Sequence, residues 1–211
     1  MYEQIQILNN FKTGREKNLQ SFFGKNSIKN IKICDIYRFN KSLNKRDYLL
    51  ACELLANPIS QKVIPNENID KTLKKFGNFS WILDIGYLPG VTDNLGNTAA
   101  EIICEKLKFN RNTFKISSSQ LFLLLTDKKS IINDIAKECS NSLVNKIVLK
   151  KFDVFVKNKF INEVYKESSK EIESKYITQF VNLKLNISSV LFILFIICII
   201  KSSGKFNIYN S

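Results

Sequence analysis

The chain has 211 residues, carries 32 Lys and Arg against 19 Asp and Glu, and contains no histidine. That length fits one large domain or two small ones. Without histidine, Ser-His-Asp and Cys-His constellations are excluded, and the commonest general base and metal ligand are gone.

The net charge of +13 comes from scattered lysines, with no basic block and no aromatic platforms interleaved with Arg. A nucleic-acid reader concentrates its charge. Over-use of Lys, Asn and Ile is the simpler source, and no nucleic-acid partner is expected.

Gln4 to Leu8 reads as a short strand. Thr13 is a candidate N-cap for a helix in which Leu19, Phe22 and Phe23 fall at i, i+3 and i+4. Ile31, Ile33, Tyr37 and Phe39 share one parity, which predicts a strand with one buried face. A second helix is predicted over 44–56, with Leu50 and Leu54 on one side, ended by Asn57-Pro58. Ile59 to Ile64 is a third strand, closed by Pro65, and 66–77 reads as a polar linker.

The pattern then restarts. Phe79, Trp81, Leu83, Ile85 and Tyr87 alternate over a strand, Pro89-Gly90 turns the chain, and a helix follows to about Leu107 with Ala99, Ile102, Ile103 and Leu107 on its stripe. Lys115 to Thr126 is a strand whose LFLLL core predicts burial on both faces. A helix over 127–140 and a strand over 143–152 complete the half. Residues 1–65 and 78–155 therefore each form a unit of β-α-β-α-β order, a duplicated α+β module whose helices cover one face of a small sheet, as in ferredoxin-like packing.

Beyond that lie a polar linker over 156–186, an apolar run from Ile187 to Ile200 predicted as a C-terminal hydrophobic helix, and a polar tail over 201–211. The run has fourteen residues, so as a helix it extends about 21 Å against roughly 30 Å of hydrocarbon. A short membrane anchor and a buried element are both open readings of it. The N-terminus lacks a signal pattern, so the expected location is cytoplasmic, with C-terminal membrane anchoring as the alternative. The five cysteines, Cys34, Cys52, Cys104, Cys139 and Cys198, are odd in number and lie in apolar stretches. They read as buried free thiols, since no histidine can activate them.

The most distinctive stretch is Leu88, Pro89, Gly90, Val91, Thr92, Asp93 and Asn94, followed by Gly96 and Thr98, between a strong strand and a helix. Thr92 or Asp93 can cap the helix, and Thr98 with Glu101 has capping-box spacing. Such a junction can cradle phosphate. The spacing matches neither G-x-G-x-x-G nor the P-loop, and a structural or interface role is the stronger reading. Asp84, Asp93 and Glu101 are the acid/base candidates, but none is paired at a diagnostic spacing, so solvated or capping roles are expected. Asp84 shares parity with Gly86, opposite to Trp81, and is placed toward solvent or a partner. No catalytic residue and no metal ligand is assigned.

"LANPISQK" followed by "WILDIGYLPGVTDNLGNTAAEII" resembles the PurS-like N-terminal region of phosphoribosylformylglycinamidine synthase, over about residues 3–155. In fused forms of that enzyme, a similar Leu-Pro-Gly-Val-Thr-Asp-Asn stretch lies between tandem PurS-like repeats. The resemblance implies an assembly module that joins a glutaminase to a synthetase in a ligase making formylglycinamidine ribonucleotide from ATP and glutamine-derived ammonia. The ATP, magnesium and substrate residues belong to the synthetase portion, so no cofactor is expected on this chain. Its partners are then the synthetase and glutaminase portions, with homo-oligomerisation a further option. After Asn186 the sequence departs from the family by turning apolar, which leads to the expectation of a truncated or frame-shifted fragment, inactive alone. The rival readings are a small binding protein tethered through 187–200 and a basic nucleic-acid-binding protein.

Overall fold

The structure is a computed structural model in which residues 2–64 and 69–157 are described. Within them the chain runs β1 (Tyr2–Asn9), α1 (Gly14–Phe23), β2 (Asn30–Leu43), α2 (Lys45–Leu55), β3 (Gln61–Val63), α3 (Ile69–Lys74), β4 (Trp81–Tyr87), α4 (Asn94–Leu107), β5 (Ile116–Leu125), α5 (Lys129–Cys139), β6 (Asn145–Lys151) and α6 (Phe152–Lys157). The strands form one antiparallel sheet in the order β3-β1-β2-β5-β4-β6, an α+β architecture.

Helix starts follow local chemistry. Thr13 caps α1 through a capping box: the Glu16 amide donates to Thr13 Oγ1 at 3.2 Å, and the Thr13 amide donates to Glu16 Oε2 at 2.7 Å. Asn44 caps α2 by accepting the Asp47 amide at 2.9 Å. The helix after the second turn starts at Asn94 with Asp93 as its cap. Thr98 therefore lies inside α4, and the expected Thr98–Glu101 capping box does not mark its start.

The β-α-β-α-β order occurs twice, with the third strand outside the first in each half, and the halves match in detail. The Asn10 amide donates to Ser60 O at 2.9 Å, and the Leu88 amide donates to Val144 O at 2.9 Å. The Ile33 amide of β2 donates to Glu16 Oε1 at 2.7 Å, and the Ser118 amide of β5 donates to Asp93 Oδ2 at 2.5 Å. In both halves a carboxylate from a helix start ties that helix to the half's second strand.

The halves do not keep separate sheets. β2 and β5 pair along their length, from Asn30 opposite Leu125 to Phe39 opposite Ile116. This corrects the expectation of two small sheets, and it changes which strand faces are buried. On one face, α2 and α4 pack with Ile5, Ile7, Tyr37, Phe39 and Ile116. On the same face, α1 and α5 pack with Ile31, Ile33, Leu83, Ile85, Phe122 and Leu124. The opposite face carries Leu8, Cys34, Ile36, Ile82, Leu121 and Leu123, covered by Leu73 of α3 and by Phe152 and Phe155 of α6.

β5 is buried on both faces as its composition predicts. β2 and β4 are too, contrary to the single-face reading, because both lie inside the sheet. The segment 66–77 is more than a linker, since α3 carries the buried Leu73. Three expected stripe residues face outward: Phe22 is 74% exposed and sits edge-on to Phe23, and Leu50 and Ile102 are exposed. Among the described residues no helix is long and apolar enough to cross a membrane. The apolar run 187–200, most of the linker 156–186 and the tail 201–211 lie outside the described residues.

Candidate functional site at the strand-turn-helix junction

Leu88, Pro89, Gly90 and Val91 form a turn closed by the Val91 amide donating to Leu88 O at 3.1 Å. Gly90 has φ of 85°, the left-handed region that a type II turn requires at its third position, and Pro89 supplies the fixed φ of the second. Thr92 and Asn94 are exposed, as are Pro89, Gly90, Asn97 and Thr98. The junction thus presents a solvent-facing surface on a backbone fixed from beneath.

Asp93 does the fixing. Its Oδ1 accepts the Gly96 amide at 2.7 Å and the Ser118 hydroxyl at 2.7 Å, while Oδ2 accepts the Ser118 amide. One carboxylate therefore caps α4 and staples it to β5. Gly96 makes room for this. A Cβ there would lie 2.5 Å from Asp93 Oδ2 and 2.5 Å from Ile116 O. The glycine at this helix start is a close-packing glycine. With the Asp93 carboxylate seated among the first amides of α4, the junction lacks the open anion cradle that phosphate binding needs.

Asp84 is neither solvated nor a cap, which corrects its expected placement. It is buried on β4 and paired with Arg38 of β2, with Nη2 to Oδ2 at 2.6 Å. Arg38 Nη1 also donates to the buried Ser119 Oγ of β5 at 2.6 Å. The guanidinium thus joins three strands. Asp84 Oδ1 and Gln4 Nε2 are buried without a hydrogen bond. Glu101 is half-exposed and pairs with Arg111.

Cys34, Cys52, Cys104 and Cys139 are free thiols. Burial pushes the Cys34 thiol far up, with Asp35 adding to it, and raises Cys52 to about 11. Burial also raises Cys104 and Cys139, the latter despite the opposing charge of Arg15. All four remain protonated at neutral pH and are poor nucleophiles. Cys198 lies outside the described residues.

Arg38, Ser118 and Ser119 escape sequence reasoning. Their roles depend on strand register across the seam between the halves, and no local spacing reports register. Gly96 carried a readable signal, a glycine three residues after a capping aspartate. Among the described residues there is no group of three His, Cys, Asp or Glu able to hold a metal ion. A comparison with protein-family models finds none that matches the chain, and a comparison with curated proteins finds no match.

Proposed function

We propose that the chain is an assembly region of a phosphoribosylformylglycinamidine synthase, a docking body that carries none of the reactive groups itself. The observation that supports this reading most is the duplicated β-α-β-α-β body closed into one sheet, with the Leu88–Asn94 turn presented at the start of α4 in the second half. In this reading the two halves are the PurS-like repeats that the sequence resembles. Pro89, Gly90, Thr92, Asn94 and Thr98 form the surface offered to the synthetase, and Asp93 and Gly96 hold that surface in shape. Joining a glutaminase to a synthetase requires a stiff body with external contact points, which a doubly covered sheet provides.

The test is co-purification of the full chain with the synthetase and the glutaminase encoded in the same genome. Retention of the synthetase through gel filtration is the expected result. Failure of both proteins to bind would remove the assembly role while leaving the fold untouched.

A further inference from the structure

We draw no further inference here: the strongest candidate, the exposed patch of Tyr87, Leu143 and Ile147 beside the Leu88–Val91 turn, where the end of β4 meets the start of β6, is an unpartnered apolar face among the described residues, and nothing in the structure shows what covers it.

Discussion

Replacing Asp93 with alanine tests whether one carboxylate holds the junction. The substitution removes the cap of α4, worth about 1 kcal/mol. It also leaves the Ser118 amide of a buried residue without its acceptor, at about 1–3 kcal/mol, and removes a further hydrogen bond from the Ser118 hydroxyl, about 1 kcal/mol. The expected loss is about 3–5 kcal/mol, well beyond a simple cap. Urea unfolding followed by tryptophan fluorescence measures it, since Trp81 is the one tryptophan and lies on β4, beside β5. Asp93→Asn keeps one acceptor oxygen of the two, and should fall between wild type and alanine. Ser118→Ala should cost about 1 kcal/mol. A loss of 1 kcal/mol or less for Asp93→Ala, with an unchanged urea slope, would show that the strand contacts contribute nothing and that Asp93 is an ordinary cap.

Gly96→Ala should destabilise by about 1–3 kcal/mol despite alanine's better helix propensity, because its Cβ meets Asp93 and the Ile116 carbonyl, whereas Gly14→Ala, with open space around it, should stabilise slightly or leave the melt unchanged. Arg38→Met strands the buried Asp84 carboxylate and should cost about 3–5 kcal/mol in urea unfolding, and Asp84→Leu added to it should recover more than half. The Cys52 thiol is raised from 9.0 to about 11, so its native environment favours the protonated form; this contribution to stability is complete below pH 9.0 and is lost between there and about pH 11, which unfolding curves of the wild type and Cys52→Ala across that window will show. Peptide-resolved alkylation at pH 8 should label Cys34 and Cys52 far more slowly in the native protein than in urea.

Much of the fold is legible in the sequence, and the misreadings share a cause. The alternation of Ile31, Ile33, Tyr37 and Phe39 correctly gave a strand and its inner face. The other parity of β2 holds Cys34, Ile36 and Arg38, a mixed set that reads as solvent-facing until β5 is known to lie alongside. Asp84 misleads in the same way, because a lone carboxylate on a strand looks solvated and its Arg38 partner is 46 residues away. The pairing of β2 with β5 is a non-local choice that no window of sequence encodes. α3 and α6 have six residues each, too few for helical periodicity to stand out. Phe22, Leu50 and Ile102 fall on the core stripe by spacing, but helical spacing cannot tell which of two adjacent apolar rows meets the sheet. At the junction, residue types alone give the turn and narrow the cap to Thr92 or Asp93, while the choice of Asp93 and its staple to Ser118 depend on the fold.

The seam between the halves also explains why the repeated β-α-β-α-β order yields one body. α2 of the first half packs beside α4 of the second, and α1 of the first shares its core cluster with α5 of the second. Each of these clusters draws side chains from both halves. Separating them would break the β2–β5 ladder and open both clusters on that face at once, exposing Tyr37, Phe39, Ile103, Phe122 and Leu124 together. Burial of this kind scales with the apolar area removed from water, so opening the seam along its length gives up the burial of both clusters. The loops that precede β3 and β6 are each tied to a half by backbone hydrogen bonds, to β1 through Asn10 and to β4 through Leu88. Their separation and relative orientation are therefore set by the seam. In the proposed role, a docking body requires that rigidity at its centre, and the two clusters shared across the seam supply it.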